Sequence, residues 1–371
     1  MLFETSDSKV LNPLLVNLSF LTTQPTGLTT YANNLVAELR SLHPTFITPQ
    51  PLAKATYYPI CGNLSADQGS KGHLRRILWT QRKLPQIYQR LQTNLLFSPV
   101  PEAPLYTRCR YVVTVHDLIP LRFPRRFSPL TFYCCYYVPQ VLARAEHILC
   151  NSAATARDIT NFLGIPATKI TPIPLAYDAN HFRCFTPSTA KGRGCPYFFY
   201  LGRHDSYKNL HRLISAFAAL PNCRDCQLWI AGPPDQRYTP KLEAQAAELG
   251  LSQQVNFLNY VPYEQLPRIM NEAVAFVFPS LWEGFGLPVL EAMACGTPVI
   301  TSNLSSLPEV AGDAALLVDP YNPQELTAAM HALATNQKLR SHLRTLSLQR
   351  ASQFSWTKTG QATVEVLKRF I

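Results

Sequence analysis

Apolar and polar positions along this chain alternate in blocks of two kinds. Short apolar or β-branched runs read as buried strands, and longer stretches with apolar residues every three to four positions read as helices. The run LLVNLSFL (Leu14 to Leu21), the turn-rich TTQPTG and then YANNLVAEL predict strand, loop and helix, with Gly27 in the connecting turn. YVVTVHDLIP (Tyr111 to Pro120) is a β-branched run that stops at the pair His116-Asp117. HILCNS (His147 to Ser152) predicts another strand, and its Asn151 or Ser152 is placed to cap the helix SAATARDITNFLG, which Gly164 closes. From Asp178 to Pro196 the pattern dissolves into turn formers. It then resumes as YFFYLG strand, NLHRLISAFAAL helix, CQLWIAG strand and KLEAQAAELG helix. VNFLNY strand, YEQLPRIMNEA helix, VAFVFPS strand, GLPVLEAMACG helix and TPVITSN strand follow, before a terminal helical region.

Strands that alternate with helices predict parallel, doubly wound sheets. Both halves alternate in this way, so the expected fold class is α/β with two Rossmann-like parallel-sheet domains facing a central cleft. The boundaries expected are residues 1–180 for the first domain, 181–196 for a linker and 197–355 for the second. Residues 356–371 are expected to form a C-terminal helix.

Composition narrows the class. Of the 371 residues 47% are hydrophobic and 15% charged, which makes the chain globular and not disordered. No run approaches the ~18–20 apolar residues of a membrane span. The start, MLFETSDSKV, lacks the features of a secretory signal, so a cytoplasmic protein is expected. The ten cysteines have no repeated spacing, and the one CxxC, Cys223 to Cys226, has no second pair or zinc-spaced histidine. They read as reduced thiols, and no metal site is expected. Of the net charge of +11, residues 1–180 carry most, with 17 Lys/Arg against 9 Asp/Glu. The first half is therefore expected to meet something anionic or at least to tolerate it.

In open α/β sheets ligands bind beyond the carboxyl ends of the strands. After YFFYLG, the segment GRHDSYKN puts Arg203 and Lys208 at such an end, a guanidinium fork and a mobile ammonium suited to a diphosphate. After VAFVFPSLW comes EGFGLPVLE, where Gly284 and Gly286 allow a tight turn and Pro288 suits the first turn of a helix. A helix N-terminus in that setting favours a phosphate. Glu283 before the turn and Glu291 one turn inside the helix would repel it. They are better used to accept hydrogen bonds from hydroxyl groups on either side, the layout of a nucleotide sugar.

These segments resemble family-4 retaining glycosyltransferases of the GT-B fold, with their two glutamates separated by seven residues. The resemblance implies that Glu283 binds hydroxyls of the donor sugar and Glu291 the ribose. It also implies that Gly284, Phe285, Gly286 and Leu287 offer backbone amides to sugar and phosphates, and that Arg203 and Lys208 hold the diphosphate. Gly27 falls at the family's first-strand glycine loop, where two glycines are common and PTGLTTY has one. His116 and Asp117 match an HD pair, with the His near the donor sugar and Asp117 on the acceptor side with Ser152. The segment around Val261 to Leu266 resembles the one whose backbone reads the base. The ending FSWTKTGQATVEVLKRF resembles the helix that crosses back onto the first domain. The implied activity is metal-independent transfer of a mannose- or glucose-type hexose to a hydroxyl of a glycan or lipid-linked acceptor. GDP-mannose or a UDP-hexose would serve as co-substrate, with no cofactor. The catalytic set would be His116, Arg203, Lys208 and Glu283.

Two other readings compete. A glycoside hydrolase would use Glu283 and Glu291 as acid and base, but has no use for cations and an anion-binding turn between them. A non-catalytic nucleotide-sugar or glycan binding protein could use the same scaffold, since fold alone does not grant activity. The stretch HLRRILWTQRKLPQIYQRLQ (His73 to Gln92) is basic, amphipathic and aromatic, which suits an anionic membrane at its inner face. Its alternative is a solvated helix packed on its own domain, and Pro85 interrupts it. A second basic cluster, Arg122, Arg125 and Arg126, follows the His-Asp pair. Nucleic acid is not an expected partner, because no binding motif for it appears.

Overall fold

The computed structural model describes residues 13–22, 26–185, 195–221 and 223–371. Most of the expected linker, 181–196, lies outside them, as does part of the loop before Gly27. The chain forms two compact units. The first comprises the residues up to Asn151 with Thr155–Ile173 and Trp356–Ile371, and the second comprises Ser152–Ala154 and Pro174–Ser355.

The first unit holds a seven-stranded parallel sheet. Its strands are β1 (Leu14–Asn17), β2 (Thr45–Thr48), β3 (Tyr57–Pro59), β4 (Leu95–Ser98), β5 (Tyr111–Val115), β6 (His147–Cys150) and β7 (Ile170–Pro172). Their order is β3-β2-β1-β4-β5-β6-β7. All but the two edge strands are buried along their whole length, as a parallel sheet covered on both faces demands. The helix α1 (Gly27–Leu39) follows β1 and packs against the C-terminal helix Trp356–Lys368. Gly27 is thus the first residue of α1, not part of the connecting turn. Thr26 caps the helix by accepting a hydrogen bond from the Thr29 amide.

The basic stretch forms two helices, α2 (Gly69–Arg82) and α3 (Leu84–Arg90), with Pro85 in the first turn of α3. Proline lacks the N–H that a continuous helix would need there, so the break falls at Lys83. The face that α2 buries is Gly72, Arg76 and Thr80. Arg76 forms a bidentate pair with buried Glu102, Nε to Oε2 and Nη2 to Oε1, both at 2.8 Å, and also donates to the Leu64 carbonyl.

In the second unit a six-stranded parallel sheet runs β10-β9-β8-β11-β12-β13. The strands are β8 (Tyr197–Leu201), β9 (Gln227–Ala231), β10 (Val255–Asn259), β11 (Ala275–Phe278), β12 (Val299–Ser302) and β13 (Ala315–Val318). Phe198, Phe199 and Tyr200 of β8 and Phe276 and Phe278 of β11 form its aromatic centre, all fully buried. Strand order reverses between β8 and β11, so the loops after these two strands leave in opposite directions and open a crevice. Those loops carry Lys208 and Glu283.

Candidate active site

In the second unit the candidate residues gather around one ion pair. Lys208 Nζ lies 2.6 Å from Glu283 Oε1, with both side chains largely buried. Lys208 also sits 5.2 Å above the Phe278 ring. Its loop is held by Asn209, fully buried and in the left-handed conformation, whose amide donates to the carbonyls of Pro279 and Pro320 at 3.1 and 2.7 Å. Arg203, two-thirds exposed, pairs with the buried Asp205 at 3.2 Å.

Glu283 is fixed by its backbone as well. Its amide donates to Ser305 Oγ at 2.9 Å, and its carbonyl accepts from Ser305 and Ser306 at 3.2 and 3.0 Å. Ser306 also donates to the Phe285 carbonyl at 2.7 Å. These serines come from the loop after β12, and the sequence alone did not single them out. Ser152 is buried in the same unit, and its hydroxyl donates to the Gly284 carbonyl at 2.7 Å.

Gly286 is the N-cap of the helix Leu287–Ala294, with φ of 108°. That backbone conformation favours glycine, and an added Cβ would also push on Leu307 Cδ2 at 2.7 Å. No side chain caps this helix. Its positive end is left for a ligand or water to satisfy. Glu291 stands one turn inside and is half-buried. Burial, and then the nearby Asp178 carboxylate, push its carboxyl up to about 8. Asp178 lies in the segment read as aperiodic, and its position beside Glu291 is a product of tertiary structure. Close by, His181 stacks on Tyr263 at 3.8 Å between centroids and bonds to the Tyr263 carbonyl at 2.8 Å. Val261, two residues before Tyr263, is partly exposed in the turn after β10.

The first unit holds its own set. His116, just after β5, has both ring nitrogens engaged: Nε2 with the Pro99 carbonyl at 2.8 Å and Nδ1 with the Asn151 amide at 3.0 Å. A carbonyl only accepts, so the network assigns the proton to Nε2 and lets Nδ1 accept from Asn151. Burial pushes the imidazole down to about 4, against the opposing effect of the Pro99 bond. The ring is therefore neutral, with Tyr31 edge-on at 4.9 Å. Asp117 is exposed and accepts from the Ile119 amide. At Gly27 a Cβ would meet nothing within 4 Å. Among the described residues no group of three or more His, Cys, Asp or Glu is placed to hold a metal ion, and no helix is long and apolar enough to cross a membrane.

Two parallel-sheet Rossmann-like units, with a glycine-turned helix start at the switch point of the second, are the architecture of the GT-B fold. Residues 186–347 match the family Glycosyl transferases group 1, and residues 25–181 match Glycosyltransferase Family 4. The chain is 31% identical to O-antigen chain mannosyltransferase B of Escherichia coli over 269 residues, 70% of each chain. It is 27% identical over 287 residues to the serotype-specific mannosyltransferase WbdA of Escherichia coli, 74% of this chain but only 34% of that longer protein. Among solved structures, Anabaena HepE in complex with UDP superposes with a TM-score of 0.74 at 20% identity, over 97% of this chain and all of that one. The chain belongs to the group 1 glycosyl transferases.

Proposed function

We propose that this glycosyltransferase moves a hexose, mannose in the first instance, from a nucleotide diphosphate sugar to a hydroxyl of a glycan or lipid-linked acceptor. Transfer proceeds with retained anomeric configuration and without a metal. The observation that carries this reading is the Lys208–Glu283 pair at 2.6 Å, set against the uncapped start of the helix Leu287–Ala294. The E. coli relatives, both described as mannosyltransferases, favour mannose among the hexoses.

Each residue takes one part in the donor. Glu283 accepts from sugar hydroxyls, and Glu291 accepts from the ribose. The amides of Gly284, Phe285, Gly286 and Leu287 face sugar and phosphates, and Arg203 and Lys208 take the diphosphate. The turn at Val261 meets the base. Gly27 has no packing or backbone reason to be glycine, which supports close approach of a ligand to that helix start. His116 is a neutral wall for the donor sugar; it cannot serve as a base while both nitrogens are engaged. Asp117 and Ser152 belong to the acceptor side, Asp117 through its exposed carboxylate and Ser152 through the carbonyl it holds.

As the bond from the anomeric carbon to the diphosphate oxygen breaks, negative charge grows on the leaving group. Lys208, Arg203 and the helix N-terminus stabilise that charge without moving far. The basic first unit suits peripheral contact with an anionic membrane at its inner face.

The testing experiment is calorimetry with GDP-mannose, UDP-glucose and UDP-galactose, followed by slow donor hydrolysis in excess EDTA. The reading expects one nucleotide sugar to bind in the micromolar range and to hydrolyse with EDTA present. Binding of none of them contradicts it.

A further inference from the structure

The helix α2 is amphipathic in the reverse sense. It turns Gly72, Arg76 and Thr80 inward, and leaves Leu74 and Leu78 58% and 47% exposed on the opposite face. The inward choice follows from Arg76, whose bidentate bond to buried Glu102 fixes the rotation of the helix. Beside the outward face, between edge strand β3 and the pair α2–α3, lies a groove of about 720 Å³. That size is typical of sites for small organic ligands. Its apolar wall includes Ile60, Leu78, Trp79 and Ile87. Its charged residues are Arg75, Lys83 and Arg90, with no carboxylate among the lining residues. All three cations are exposed, and among the described residues none of them forms an ion pair. A cation set with no internal counter-charge beside exposed leucines is complementary to an amphiphile with an anionic head.

We propose that this groove binds one anionic phospholipid of a bilayer surface. The phosphate meets Arg75, Lys83 and Arg90, and a hydrocarbon chain lies against Ile60, Leu78, Trp79 and Ile87. The inference rests on the membrane contact proposed above and assigns it to a site; it does not depend on the donor chemistry.

The test uses the full chain with phosphatidylcholine vesicles, with or without phosphatidylglycerol, in sedimentation and in tryptophan fluorescence with brominated acyl chains. Wild type should sediment only with the anionic vesicles, and the brominated chains should quench its emission. The triple variant Arg75→Ala/Lys83→Ala/Arg90→Ala should lose roughly 100-fold in vesicle affinity. Leu78→Asp, at an exposed position, should also release the protein. Trp79→Phe should remove the quenching while vesicle binding persists. Equal sedimentation of the triple variant and wild type would overturn the site, as would quenching unchanged in Trp79→Phe. So would displacement by millimolar inorganic phosphate with no quenching, which would mark a free-anion site. Release by Phe127→Ser/Phe132→Ser, two exposed phenylalanines of the first unit, with the groove variants unaffected would place the contact there instead. Failure of wild type to sediment at all would overturn the membrane reading as well. Nucleotide-sugar binding measured on the same samples keeps the transferase reading separate, and a wild-type circular dichroism spectrum with a cooperative melt shows that the variants fold.

Discussion

The two ends of EGFGLPVLE carry the same side chain in opposite electrostatic settings. Glu283 is tied to Lys208 at 2.6 Å, and its backbone is gripped by two serines. Glu291, eight positions on, faces another carboxylate, Asp178, and its carboxyl is pushed up to about 8. One glutamate is charge-balanced by a partner within the protein, whereas the other holds a proton below about pH 8 until hydroxyl donors take its place. The difference teaches that a single motif can hold a preset, charged end and an adjustable end. In the proposed reading the preset end lies where reaction charge develops, and the adjustable end where binding energy is collected.

The strongest way to break this comparison is to remove the partner of the preset end. Lys208→Ala should lower turnover by roughly 10²–10³-fold, the cost of one preorganised charge-stabilising group, with a smaller loss in donor affinity. Steady-state kinetics beside calorimetry separates the two. Weaker binding at normal turnover would remove Lys208 from the reaction step.

The adjustable end predicts a pH effect. A ribose diol prefers the carboxylate, so binding should release the proton that Glu291 holds below about pH 8. Nucleoside diphosphate affinity should rise as pH increases from 6 to 8, by up to about tenfold per unit, and level off above that. Glu291→Gln should flatten the profile. A rise that persists in the variant would assign the proton to another group.

A smaller effect concerns stability. The carboxyl of Glu291 sits above its ordinary value of 4.5, so between that value and about 8 the folded state holds more protons than the unfolded one. Its contribution to stability is complete below pH 4.5 and is lost as pH rises through about 8. Glu291→Gln should therefore melt roughly 2–4 °C above wild type at pH 8.5 and close to it at pH 4.5, read by calorimetric Tm. Equal melting at both pH values would remove the burial argument.

Much of the second unit is legible in the sequence. Buried parallel strands such as Phe198–Tyr200 and Phe276–Phe278 write continuous apolar runs, and Gly286 and Pro288 mark the helix start. Lys208 and Glu283 could be placed at strand ends by the same logic. Their direct pairing could not, because it depends on β8 and β11 lying side by side. The short edge strand β3, exposed on two of its three residues, carries no period to detect. Ser305 and Ser306 are unremarkable hydroxyls until the loop after β12 folds over the motif. Asp178 is invisible for a related reason: its segment has no regular structure, and only packing brings it beside Glu291. The basic helix divided at Pro85 as the residue suggests, but its rotation was set by Arg76 and Glu102, 26 positions apart.

The most direct test of the donor assignment is calorimetric titration of wild type, Glu283→Ala and Glu291→Ala with the nucleoside diphosphate of the preferred donor, lacking the sugar. Loss of a hydrogen bond to a charged group predicts a roughly 10–100-fold weaker Kd for Glu291→Ala. Glu283→Ala, which touches only the sugar and frees Lys208 for phosphate, should bind as tightly as wild type or more so. The reverse pattern, with Glu291→Ala unchanged and Glu283→Ala weakened, would contradict the map of sugar at Glu283 and ribose at Glu291.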